Sequence, residues 1–135
     1  METLEQRIKM HEGFRAFPYL DTTNNLTLGY GRNLTDNGIS KQEAIVMLQN
    51  DIDRAKADYH KLPAVVRDNC NTIRREVLVE MIFQLGLGGV LKFKRMLRAI
   101  QNNDFERAAS EQIDSLWGRQ TPNRAHELAG LMRKG

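Results

Sequence analysis

The sequence predicts an α+β fold, mostly α, with a small N-terminal β-hairpin lobe joined by a long helix to a helical C-terminal lobe. Three stretches carry that reading. Asp21-Thr-Thr-Asn-Asn25 is turn chemistry, and Leu26-Thr-Leu-Gly-Tyr-Gly31 after it alternates apolar with small or polar residues, the pattern of a hairpin. Ser40-Lys-Gln-Glu43 is a capping box, and Ile45, Leu48, Ile52 and Ala55 recur behind it at helical spacing. Thr72 to Leu85 is apolar on more than one face, through Val77, Leu78, Met81, Ile82 and Leu85, as a helix buried on most sides must be.

Taken in order, Leu4 and Ile8 give a short amphipathic helix from Thr3 to about Glu12, with Thr3 as its cap and Gly13 as its end. After the hairpin, Asn33 to Gly38 is rich in turn formers and reads as a polar loop. The helix opened by Ser40 runs to about Tyr59, and Pro63 suits the first turn of a shorter helix ending near Asn71. Gly86, Gly88 and Gly89 end the apolar helix. Beyond them Met96-Leu97-Ile100 and Phe105-Ala108-Ala109-Ile113 mark two short helices on either side of an Asn-Asn-Asp turn. Trp117-Gly118 reads as a break, and Thr121-Pro122 starts a last helix through Leu131. Residues 1–135 are expected to form a single domain, with 13–59 as the hairpin lobe plus bridging helix and 1–12 with 60–135 as the helical lobe.

Composition narrows the classes. With 41% hydrophobic and 27% charged residues the chain is globular rather than disordered. The net charge of +3, from 20 basic and 17 acidic side chains, suits a polyanionic partner without demanding one. Cys70 is the only cysteine, so no internal disulfide and no cysteine metal cluster can form, and His11, His60 and His126 show no ligand spacing; neither metal nor cofactor is expected. No apolar run approaches the ~20 residues of a membrane span, so no stable membrane insertion is expected. METLEQRIKMHEG carries charges throughout and no apolar signal core, which points to synthesis and retention in the cytoplasm.

The candidate chemistry lies between His11 and Arg32. A hairpin there brings Glu12, Asp21 and Thr27 toward one another, and two carboxylates in different surroundings are the minimal apparatus for acid/base cleavage of a glycosidic bond. Singly, none of the three is informative. Glu12 alone is most often a solvated helix-end carboxylate, Asp21 a turn residue and Thr27 a good strand residue.

The joint spacing is more specific. Glu12, Asp21 nine residues on, Thr27 six after that, and then Gly29-x-Gly31 resemble the active-site stretch of the phage-type, T4 lysozyme-like endolysins of glycoside hydrolase family 24. Gln120-Thr-Pro-Asn-Arg124 resembles a second motif of that family, and Arg74-Arg75 leading to Met81-Ile-Phe-Gln-Leu-Gly86 resembles its buried central helix. The resemblance spans essentially the whole chain and implies a lysozyme-like fold. It implies hydrolysis of the β-1,4 bond between N-acetylmuramic acid and N-acetylglucosamine in bacterial peptidoglycan, with inversion. Glu12 would be the general acid, Asp21 the base or water-orienting carboxylate, and Thr27 a holder of that water. Arg124 would lie against Glu12, lowering its pKa unless burial opposes it. Phe83 and Gln84 would line the cleft, although Phe83 is equally well read as core. Trp117 reads as core.

Two departures stand out. Arg32 takes a place where the family's best-known member has histidine, and a structural ion pair with Asp51 is expected in its stead. Only Asn33 to Ile39 separates the hairpin from the long helix, so the β lobe is small. The expected protein is a monomer released from the host bacterial cytoplasm to the periplasm or cell wall with help from a separate holin. A glycan-holding component of a larger particle and a DNA-binding helical protein are the rivals. The intact Glu12, Asp21 and Thr27 argue against the first. Nearly balanced charge and the lack of a reading motif argue against nucleic acid as a partner. Lys92, Lys94, Arg95 and Arg98 cluster on one short segment, by default a solvated face and alternatively an attraction to anionic wall polymers.

Overall fold

A computed structural model describes all residues, 1–135, and the chain falls into two compact units, 1–47 and 48–135. The first holds α1 (Leu4–Glu12), the strands β1 (Arg15–Leu20), β2 (Leu26–Gly29) and β3 (Arg32–Asn33), and the one-turn helix α2 (Leu34–Asn37). Helix α3 (Lys41–Tyr59) contributes to both units. The second unit continues with α4 (Ala64–Asn69), α5 (Thr72–Leu91), α6 (Lys94–Gln101), α7 (Phe105–Ile113), α8 (Leu116–Gln120) and α9 (Pro122–Lys134). The mostly helical α+β class is the predicted one. The unit boundary groups α1 with the hairpin, whereas the lobe division drawn from sequence placed 1–12 with the later helices.

In the first unit Thr3 caps α1 in a reciprocal box with Gln6: the Gln6 amide donates to Thr3 Oγ1 at 3.1 Å, and the Thr3 amide donates to Gln6 Oε1 at 2.8 Å. The sheet is antiparallel in the order β1-β2-β3, with Tyr19 opposite Thr27, Leu20 opposite Leu26, and a bulge between Arg15 and Tyr19. The third strand was not legible, because two residues are too short for any period. The expected polar loop after it is partly helical. Asn33 caps α2 by accepting from the Asp36 amide, and Thr35 Oγ1 accepts from the Leu26 amide at 2.8 Å, which ties α2 onto β2. The capping box at Ser40 and Glu43 forms as expected.

In the second unit α5 supplies the centre of the core through Val77, Leu78, Met81 and Ile82, packed with Met96, Ile100, Trp117 and Met132. Gly86 does not end this helix outright. It takes φ 76°, ψ 164°, and the chain re-enters helix to Leu91, so the glycine makes a kink. Trp117-Gly118 is likewise no break: both residues lie inside α8, whose N-cap Ser115 accepts from the Gly118 amide at 3.0 Å. Thr121 precedes Pro122 at the start of α9, but its hydroxyl donates back to the Trp117 carbonyl and does not cap the new helix.

One buried polar group is imperfectly met. Gln112 is fully buried; its amide donates only to Met81 Sδ at 3.2 Å, and its Oε1 has no partner. Removing an orphaned acceptor relieves its desolvation cost. Gln112→Leu is therefore expected to raise stability by about 1–2 kcal/mol. An unchanged or lower midpoint in thermal denaturation would refute it.

Candidate active site

The hairpin of the first unit positions Asp21 by saturating one of its oxygens. Asp21 Oδ1 accepts from the Thr23 amide at 2.9 Å, the Thr23 hydroxyl at 2.9 Å and the Asn25 amide at 2.8 Å. These donors, the Asn25 amide foremost, hold the carboxyl below the usual aspartate range, so it stays anionic to lower pH than a free aspartate. Oδ2 receives no donor from the protein and is free to accept a proton. The turn itself closes through the Asp21 amide on the Asn25 carbonyl at 3.0 Å, with Asn24 at φ 64°.

Thr27 is joined to the same knot. Only 4% of its surface is exposed, and its hydroxyl donates to the Asn25 carbonyl at 3.0 Å, the acceptor already used by the Asp21 amide. With its proton committed there, Thr27 Oγ1 can only accept from a further partner, and a water can donate to it. The strand pattern suggested Thr27 as a good strand residue; the geometry adds a fixed acceptor beside Asp21.

Glu12 arrives at the other end of the sheet. It is the last residue of α1, and its side chain lies on the backbone of Gly31 just past β2: a Cβ built on Gly31 would fall 2.7 Å from Glu12 Oε2 and 2.9 Å from Cδ. Tyr30 pins this junction, with the Phe14 ring 5.6 Å away and Lys9 Nζ 5.7 Å from its centroid. Gly31 takes φ 78°, which disfavours a side chain there, and a Cβ would displace the Glu12 carboxylate from its place. Sequence reasoning used the Gly-x-Gly pair as hairpin punctuation and missed this contact. The four residue steps from Thr27 to Gly31 bound the backbone separation of the two ends at about 14 Å.

Arg32 does not take the partner expected for it. Its guanidinium grips Glu43, Nη1 to Oε1 at 2.9 Å and Nη2 to Oε2, and donates to the Gly38 carbonyl at 3.1 Å. The Arg32 bond, together with the Ser40 amide, draws Glu43 down to about 2. Asp51 pairs instead with Arg54, one helical turn on, at 3.5 Å. Glu43 wins because the capping box already orients its carboxylate toward the loop that carries Arg32, and a rigid carboxylate suits a bidentate fork.

In the second unit a groove of about 600 Å³ lies between α3 and α5, with Ile52, Tyr59, Val79, Phe83, Glu80 and Arg124 on its walls. Phe83 is 42% exposed there and is not core. Gln84 is committed elsewhere, its Oε1 accepting from Trp117 Nε1 at 2.9 Å, which explains how a glutamine is tolerated in an apolar helix. Arg124, expected against Glu12, is engaged by Glu80, Nε to Oε2 at 2.8 Å. Both side chains are partly exposed on the groove wall, so the pairing follows from their facing positions on α5 and α9 and not from burial.

These partners make a pH prediction. Thr23→Val keeps shape but removes one of the three donors to Asp21, so the carboxyl rises toward the ordinary range. The acid limb of the rate profile is expected to move to higher pH, with the neutral plateau nearly kept. A limb that does not move would dissociate Asp21 from the rate.

Comparison with known proteins agrees with the motif reading. The phage lysozyme family model matches residues 9–134. Probable T4-type lysozyme 2 of Dictyostelium discoideum is 27% identical over 164 residues, covering 100% of this chain and 96% of its own. Probable T4-type lysozyme 1 of the same organism is 24% identical over 163 residues, with the same coverage. The pre-baseplate central spike protein Gp5 of Enterobacteria phage T4 is 29% identical over 160 residues, covering 98% of this chain but 28% of that protein.

Proposed function

Since the chain belongs to the phage lysozyme family and is a glycoside hydrolase, we propose that it cleaves the β-1,4 bond between N-acetylmuramic acid and N-acetylglucosamine in bacterial peptidoglycan, with inversion. Glu12 protonates the departing glycosidic oxygen. Asp21 takes a proton from the attacking water through its free oxygen, and Thr27 Oγ1 accepts that water's other hydrogen. Attack and protonation occur on opposite faces of the sugar, so one displacement completes the reaction.

The observation that carries this reading is the Asn25 knot. A carboxylate kept ionised by three donors, beside a buried hydroxyl whose proton is already spent, is suited to orient water and to accept its proton. A single displacement needs the two carboxyls about 6.5–9.5 Å apart, with room for that water, rather than the ~5 Å of a double-displacement site. Delivery to the wall from the host cytoplasm, through a separate holin, belongs to the same proposal. The likeness to Gp5 favours one second reading, a wall-cutting module carried by a larger phage particle.

The test is the first-formed product. NMR of fresh digests should show the α anomer before mutarotation, and Asp21→Asn should lose about a hundredfold or more in rate. A β anomer would overturn the inverting assignment, and a fully active Asp21→Asn would overturn the role of Asp21.

A further inference from the structure

The two-residue strand β3 cannot hold its own position. It meets β2 only through Asn33 opposite Thr27 and Arg32 opposite Leu28, and so short a pairing is marginal in water. Its Asn33 end is tied on the side of the Asn25 knot, where Thr35 Oγ1 accepts from the Leu26 amide. Its Arg32 end follows Gly31 directly, and Gly31 is the backbone against which the Glu12 carboxylate rests. The Arg32 side chain holds that end. Its guanidinium donates to the Gly38 carbonyl at 3.1 Å and forks onto both oxygens of Glu43. Glu43 is fixed in turn at the start of α3: its Oε1 accepts from the Ser40 amide at 2.8 Å, and its own amide donates to Ser40 Oγ at 3.1 Å. A chain of directional bonds thus runs from the first turn of α3 to the turn that seats Glu12. The Phe14 and Tyr30 rings meet at the same turn, but both are exposed and apolar contact has no direction of its own.

We propose that Arg32 is a positioning residue for the general acid: clasped to Glu43, it fixes the Gly31 turn and, through that turn, the Glu12 carboxyl. The inference rests on the hydrolase reading above and on the role of Glu12 within it. Arg32 and Glu43 are 39% and 42% exposed in their side chains, so the pair adds little to global stability. Its effect is geometric, because a bidentate fork sets orientation as well as distance. The clasp also keeps its charge wherever a carboxyl acid can work. The Arg32 fork, with the Ser40 amide, draws Glu43 down to about 2, and a guanidinium does not titrate. Glu12 gives up its proton in the transition state, so a misplaced carboxyl lowers kcat and leaves KM nearly unchanged. The loss also scales with how much the departing group needs that proton.

The test compares two leaving groups. One substrate is a soluble glycan of wall disaccharide units, whose leaving group is a sugar hydroxyl. The other carries a 2,4-dinitrophenyl group on its terminal N-acetylmuramic acid, which departs as a stable phenolate without a proton. Arg32→Gln and Glu43→Gln are each expected to lower kcat on the glycan by about tenfold to thirtyfold, with KM within about twofold. On the dinitrophenyl substrate the loss should shrink to about threefold. The double variant should be no slower than either single one, as two residues acting through one contact require. Arg32→Lys keeps a cation but not the fork and should fall between Arg32→Gln and wild type. Undiminished turnover of the glycan by Arg32→Gln and Glu43→Gln, equal losses on the two substrates, or additive losses in the double variant would each overturn the proposal. Glu12→Gln is the control and should show the same substrate pattern more strongly. If it does and the Arg32 and Glu43 variants do not, only the positioning role fails. If Glu12→Gln affects both substrates alike, the acid role of Glu12 fails and the positioning role falls with it.

Discussion

Glu12→Gln is expected to slow clearing of outer-membrane-permeabilised Gram-negative cells by about a thousandfold, within the range for loss of a general acid. The more discriminating result comes from Gly31→Ala, which retains every group proposed for the chemistry. A methyl at position 31 would sit 2.7 Å from Glu12 Oε2, closer than carbon and oxygen tolerate, and the backbone there has φ 78°. Either the carboxylate leaves its position or the β2–β3 turn rearranges. A displacement of about 1 Å of a catalytic group can cost about a hundredfold, and that is the loss expected, with thermal stability lowered by only about 1–2 kcal/mol. If Gly31→Ala were stable and cleared cells within threefold of wild type, the seat of Glu12 on Gly31 would have no catalytic meaning. The pair of variants separates two claims: glutamine tests the proton, alanine tests the place where it is held.

The elements that follow a strong period were readable in advance, because a helix or hairpin must repeat its apolar face to form a core. The capping box at Ser40 and the proline at position 122 fixed two helix starts to within a residue, and the apolar run through Val77, Met81 and Ile82 named the centre of the core. Short elements were not readable. β3 has two residues and α2 four, too few for periodicity, and both exist because tertiary bonds such as the Leu26 amide on Thr35 hold them. Glycine misled twice, at Gly86 and Gly118, because it marks a special backbone need without saying whether the need is an end, a kink or a close contact.

The site divides the same way. Asp21 and Thr27 were legible as a pair because the turn between them is local, and the structure joins them through one carbonyl. Ion-pair partners were not. Several acids follow Arg32 along the sequence of α3, and its pairing with Glu43 goes with the capping box that already orients that carboxylate. Arg124 and Glu80 lie 44 positions apart, and their pairing depends on how α5 and α9 pack, which local sequence does not encode. Charge partners depend on side-chain direction, which periodicity does not encode.

Gly118→Ala is expected to lower stability by about 3 kcal/mol, or about 10 °C in thermal midpoint, although alanine is the better helix former. A Cβ there would fall 2.3 Å from the Ile113 carbonyl oxygen and 2.5 Å from that of Gln112. Both are backbone atoms at the end of α7, so no side chain can swing aside. The methyl must push α8 away from α7, and α8 carries Trp117, the only tryptophan, whose indole holds Gln84. The same substitution thus breaks a close helix contact and slackens the bond beside Phe83 on the groove wall. Tryptophan fluorescence reports the second effect directly, through a red-shifted emission in the folded state as the indole gains water. Propensity alone predicts stabilisation by up to about 1 kcal/mol. A Gly118→Ala protein that melts at or above the wild-type temperature would show that α8 can shift at no cost, and the tight turn from α7 through Ser115 would then not be what fixes Trp117.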